Sequence, residues 1–168
     1  GSHSKAISYF ERVRSGADRT EAGQWIREQA NLNIARVNYE TKRFRTAIEY
    51  YAQIPRDSDN WLQALFEAAW TFFMMQKHNN TLGTIHTIHS PFFDNRFFPE
   101  SYILQSITFL RLCRYKQVKT SLAKFKGRYK GVFDDLRKML DGYQNNSKGF
   151  FKSSYDYRVG SLNDYKRS

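Results

Sequence analysis

The sequence predicts an all-α fold of antiparallel helix hairpins stacked in a row, closed by a C-terminal capping helix. Three observations carry that reading. Apolar and small residues recur at spacings of three and four, and strand-like alternation is absent over any useful length. Only three prolines and nine glycines occur, too few for a turn-rich β-sandwich. The helical segments also overlay on one another at a nearly fixed offset, the mark of a repeat architecture.

Gly1-Ser2-His3 reads as a tag remnant (residues 1–3) and carries no argument. The chain then opens on Ala6-Ile7-Ser8-Tyr9-Phe10, which mirrors Ala47-Ile48-Glu49-Tyr50-Tyr51 and so predicts a helix of the type that closes a hairpin. Asp18 followed by Glu21 predicts an N-cap with its capping-box partner, starting a helix that carries Trp25 and Ile26. Leu32, Ala35 and Tyr39, then Ala47, Ile48 and Tyr51, keep helical spacing on either side of a short turn. Pro55 with Asp57-Ser58-Asp59 ends one helix and caps the next, which begins near Trp61. His78-Asn79-Asn80 marks the turn of a middle hairpin, and Pro99 after Phe98 sits at the favoured first position of a further helix. Val132, Phe133, Leu136, Met139 and Leu140 form the apolar stripe of the capping helix, residues 128–143. Residues 144–168 read as a polar tail in which Phe150, Phe151, Tyr155, Tyr157 and Tyr165 are scattered, with rings expected to dock on the folded part.

The overlay can be read residue by residue. Ile34-Ala35-Arg36-Val37-Asn38-Tyr39 aligns with Ala68-Ala69-Trp70-Thr71-Phe72-Phe73 and with Gln105-Ser106-Ile107-Thr108-Phe109-Leu110, so the small residues Ala35, Ala69 and Ser106 recur at intervals of 34 and 37. Arg43-Phe44-Arg45-Thr46-Ala47 likewise aligns with Arg114-Tyr115-Lys116-Gln117-Val118. A small residue lets the two helices of a hairpin approach closely, and the aromatic fills the space at the turn. Over residues 4–127 this pattern resembles the tetratricopeptide repeat, a helix hairpin with a period of about 34 residues. The departures are Asn38 in an aromatic place, Gln105 in an apolar one, and Gly83 two positions late for the small residue of the middle hairpin. The stretches Ala64-Leu65-Phe66-Glu67-Ala68-Ala69-Trp70, Ser90-Pro91-Phe92-Phe93, Phe98-Pro99-Glu100-Ser101-Tyr102 and Cys113-Arg114-Tyr115 are similar to a bacterial branch of the family. That branch includes envelope-associated repeat lipoproteins of Gram-negative bacteria, tied to outer-membrane assembly and surface motility.

The resemblance implies a right-handed solenoid whose first helices line a concave groove for a protein or peptide segment. Carried over by position, the groove residues are Arg36, Tyr39 and Glu40, then Trp70, Phe73 and Met74, then Ile107, Leu110 and Arg111. Aromatic anchors with a few charges suit capture of an extended or helical segment. The implied function is a non-enzymatic scaffold or adaptor, periplasmic or outer-membrane-associated. Self-association through an uncapped solenoid end is a further expectation.

Charge points to an alternative. Residues 111–168 hold 15 Lys and Arg against 5 Asp and Glu, so nearly all of the net charge of +11 lies in the last third. A basic α-solenoid could bind nucleic acid or another polyanion through Lys116, Lys119, Lys124, Lys126, Arg128 and Lys130. Other chemistry is sparse. The single Cys113 excludes an internal disulfide framework and any multi-cysteine zinc site. His86 and His89 lie three apart without a third ligand at metal-like spacing, so no metal or cofactor is expected. No glycine-rich phosphate loop occurs, no catalytic set is expected, and no apolar run is long enough to span a bilayer. Asn79-Asn80-Thr81 matches a glycosylation acceptor, a tripeptide common by chance.

Overall fold

The computed structural model describes residues 2–143 and 146–165, with side-chain surroundings given through residue 156. Among these residues the fold is all-helical: α1 (Ser2–Gly16), α2 (Glu21–Glu40), α3 (Phe44–Tyr51), α4 (Trp61–Met74), α5 (His78–Ile88), α6 (Pro99–Arg111), α7 (Tyr115–Tyr143) and α8 (Ser147–Tyr165), with a short 3₁₀ turn at Pro91–Phe93. From α1 to α6 each helix packs on its chain neighbour, and α4 also touches α6. Contacts divide the chain into two units, residues 1–122 and 123–168.

The first unit is built by repetition. Ala35 and Ala69 are fully buried and Ser106 nearly so, as expected of residues that let helices approach. Lys42, Gln76 and Cys113 all adopt left-handed backbone, with φ of 60°, 59° and 54°. They recur at the same intervals as the small residues and close three identical turns. In each, the left-handed residue donates to the third residue back, Lys42 to Tyr39, Gln76 to Phe73 and Cys113 to Leu110. The next residue donates to the fifth back: Arg43 to Asn38, Lys77 to Phe72 and Arg114 to Phe109. This pair of bonds satisfies the last carbonyls of α2, α4 and α6, the Schellman arrangement.

The core lies between the hairpins. Leu32, Ala35, Ala47, Tyr51, Ile54, Ala64 and Ala68 form one buried cluster, and Ala69, Ile85 and Leu104 form the next. Sites where the repeat departs from an apolar residue are satisfied by hydrogen bonds. Buried Asn38 donates to the Ile34 carbonyl at 2.8 Å, and Gln105 accepts from buried Ser121 at 2.8 Å. In the middle hairpin the small position is taken by fully buried Thr81, while Gly83 is exposed with open space around it.

Several boundaries differ from the sequence reading. The N-cap of α2 is Thr20, whose hydroxyl accepts from Gly23 N, while Asp18 braces the cap through Thr20 N. Gly23 is required here, since a Cβ on it would lie 2.3 Å from the Asp18 carbonyl oxygen. Ser58, through its hydroxyl to Asn60 N, organises the entry to α4. The expected 128–143 cap is the second half of one 29-residue helix, α7, because no proline interrupts Tyr115 to Tyr143 and the helix continues through Gly127, Gly131 and Gly142. The expected tail carries α8, with Phe150 packed edge-on to Tyr143 and with Phe151 and Tyr155 exposed. The side chains of Tyr157 and Tyr165 lie outside the described residues.

Candidate functional site

The first position after each repeated small residue, and the fourth and fifth, define one face of α2, α4 and α6. From α2 and α4 this brings Arg36, Tyr39, Glu40 and Trp70 around a pocket of about 320 Å³, whose wall is completed by Tyr51 and Glu67. Phe73, Met74 and Arg111 line a second pocket of about 420 Å³ with Gln76 and His78. Trp70 and Phe73 join the two, their rings edge-on at 5.9 Å. Ile107 is half-buried and Leu110 exposed, and neither lines these pockets.

The Trp70 and Phe73 rings are partly committed to the fold. Trp70 meets Phe66 at 6.5 Å, Phe73 meets His78 at 5.8 Å, and both pack against the Ala69–Ile85–Leu104 cluster. Their exposed edges face the pockets, as aromatic anchors with one wet side do. Met74 and Arg111 are the more open members.

Glu67 is the residue that sequence reasoning missed. Its carboxylate accepts from Arg36 Nη2 at 2.6 Å and Nε at 2.9 Å, from Gln63 Nε2 at 2.7 Å, and from the Tyr51 hydroxyl at 3.0 Å. Arg36 is therefore clamped to the next hairpin instead of standing free in the groove. Burial raises the Glu67 pKa, but the bonds from Arg36, Gln63 and Tyr51 and the Arg36 charge outweigh it, so the carboxyl titrates below its ordinary value. The hydrogen bonds to Glu67 hold Arg36 protonated even more firmly. Burial, then the Glu67 carboxylate, push the Tyr51 phenol far above its ordinary range. The network joins α2, α3 and α4 beneath the first pocket. Its chemistry is structural: the carboxylate is held ionised with its partners in place.

No family model, curated protein or solved structure matches this chain.

The remaining candidates fall out separately. His89 is engaged by Ser101, Nε2 to Oγ at 2.7 Å, and stacks on Tyr102 with centroids 4.0 Å apart, while His86 is exposed. Among the described residues no three His, Cys, Asp or Glu are grouped to hold a metal ion. Cys113 serves as the left-handed residue of its turn. Thr81 of the Asn-Asn-Thr tripeptide is fully buried within α5. Among the described residues no helix is long and apolar enough to cross a membrane. The basic residues lie along α7: Lys116, Lys119, Lys124, Lys126 and Lys130 are exposed and Arg128 is half-buried. At 100° per residue, Lys116, Lys119, Lys126 and Lys130 fall on one flank of the apolar stripe and Lys124 and Arg128 on the other, so they form two rows. Lys130 is paired with Asp134 at 2.5 Å.

Proposed function

We propose that the first unit is a tetratricopeptide-like interaction module, a scaffold or adaptor without catalytic activity. It captures a protein segment along the face shared by α2, α4 and α6. The observation that supports this best is the convergence of seven of the nine groove residues on two pockets joined by Trp70 and Phe73. The three superposable turns and the small-residue spacing support the repeat assignment. In this reading the Arg36–Glu67 clamp fixes the spacing of the first two hairpins, and Tyr39, Trp70, Phe73 and Met74 supply apolar contact. Arg111, which has no ion pair among the described residues, supplies positive charge, which favours a segment with an acidic residue next to its apolar anchors. The resemblance to bacterial envelope repeat proteins makes an envelope or motility assembly the setting to search first.

The test is selection of binding peptides on the intact chain, followed by affinities for Met74→Glu and Arg111→Glu. Both positions are exposed, so the fold should survive. Loss of about 2 kcal/mol of binding, roughly 30-fold, is expected of interface hot spots. Unchanged affinities would refute the groove. Binding that collapses with rising salt and involves the lysines of α7 would favour the polyanion alternative.

A further inference from the structure

We infer that the capture face is polarised, taking a segment with a basic end at Glu40, an apolar middle on Met74 and an acidic end at Arg111. The inference rests on the proposed reading of that face and names the chemistry of its partner. The first observation is one repeat position. Glu40, Met74 and Arg111 lie at the same intervals of 34 and 37 as the small residues, and all three are exposed. Along α2, α4 and α6 that position therefore runs from carboxylate through thioether to guanidinium. The basic residue that follows each turn, Arg43, Lys77 and Arg114, is common to the three hairpins and adds no gradient.

The second observation is that the fold does not consume these two charges. Among the described residues neither Glu40 nor Arg111 forms an ion pair. Of the other charged residues lining the first pocket, Arg36 and Glu67 neutralise each other, so Glu40 leaves it net negative. Tyr39, Tyr51 and Trp70 give it aromatic walls, and rings beside a carboxylate suit an ammonium or guanidinium group. Arg111 is the only residue of fixed charge lining the second pocket, where no carboxylate offsets it.

The third observation, independent of Arg111, is His78. Its place is taken by Phe44 and Tyr115 in the other hairpins. Phe44 packs on Tyr39 with centroids 5.7 Å apart and His78 packs on Phe73 at 5.8 Å, so the imidazole fills the space of a phenyl ring. Yet its Nδ1 is buried without a hydrogen-bond partner, a penalty that phenyl avoids. Packing alone leaves that choice unexplained. A carboxylate drawn in by Arg111 would give a protonated Nδ1 its acceptor. The pocket with an uncompensated cation is thus also the pocket with an unpartnered polar group.

The experiment uses the full chain and a peptide with lysines at one end, leucines in the middle and glutamates at the other. A photo-reactive residue is placed at either end, and the crosslinks are mapped by mass spectrometry. The basic end should label around Glu40 and the acidic end around Met74 and Gln76. In the double variant Glu40→Lys with Arg111→Glu, the two ends should exchange places. His78→Phe puts the first hairpin's ring at this position, so it should keep the fold while weakening the peptide roughly threefold or more. A control peptide with glutamines in place of the glutamates should not respond to His78→Phe. Equal labelling of both pockets by both ends, no exchange in the double variant, or a peptide indifferent to His78→Phe would overturn the polarity. If such a peptide is still lost in Met74→Glu, the capture face stands and its polarity alone fails. A peptide that does not bind, or that binds regardless of Met74→Glu, removes the face and the polarity together.

Discussion

Glu67→Gln keeps the shape of the side chain that binds the first two hairpins together, but removes its charge and replaces one acceptor oxygen by an amide donor. Three groups donate to that carboxylate, and they do not contribute equally. The Arg36 side chain is 44% exposed, so its ion pair is screened by water and is worth about 0–1 kcal/mol despite two good hydrogen bonds. Tyr51 is buried, and it and Gln63 donate to different oxygens of Glu67, so in the amide one bond falls from charge-assisted to neutral and the other loses its acceptor, a loss of about 0.5–1 kcal/mol each. The sum is about 2 kcal/mol. The pH dependence carries the sharper signature. Because the folded-state pKa of Glu67 lies below its ordinary value of 4.5, its contribution is complete above that value. It is lost as pH falls through the lowered folded value. Urea unfolding at neutral and at acidic pH should therefore show a gap between wild type and Glu67→Gln that narrows in acid. A gap absent at neutral pH, or one that does not change with pH, would refute the clamp.

Other consequences are local. Lys42→Gly and Gln76→Gly should each stabilise the chain by about 0.5–1 kcal/mol in thermal or urea unfolding, because glycine takes the left-handed turn without strain. The same changes would destabilise if these residues were held by contacts that outweigh backbone strain. Gly23→Ala should lower stability by about 1–3 kcal/mol, since the new methyl meets the backbone of Asp18 and must push the α1–α2 connection away. Differential scanning fluorimetry suffices to read this. Ala69→Leu should be at least as damaging, about 1–3 kcal/mol or more, because the residue is fully buried where α4 meets its neighbours.

The helices were legible because their packing positions recur in sequence. Ala35, Ala69 and Ser106 are buried where helices meet, and Pro99 marks a real helix start, whereas the N-cap of α4 is Asn60, without a side-chain cap bond, and not one of Asp57-Ser58-Asp59. The turns were less legible. Left-handed backbone is ordinarily announced by glycine, and here Lys42, Gln76 and Cys113 bear it, so the strained residues carry no compositional mark. By size alone Gly83 outranks Thr81, but a buried threonine can bond its own helix, here the Lys77 carbonyl at 3.2 Å. Glu67 was hidden for another reason. Its role depends on Arg36, 31 residues away, and on Tyr51 in a third helix, a meeting that no local pattern displays. That Arg36, Tyr39, Glu40 and Trp70 would meet at one pocket followed from their positions, but not that Arg36 would be tied to Glu67.

The central claim is that the α2–α4–α6 face binds a protein segment. The most direct measurement places a photo-crosslinking residue at Met74, in the second pocket, and a control at Gly83, exposed on α5. Both proteins are irradiated with a selected peptide, and the sites are mapped by mass spectrometry. The account predicts crosslinks from position 74, lost when Arg111 is changed to Glu, and none from position 83. Equal labelling from both, or labelling indifferent to Arg111→Glu, would contradict it.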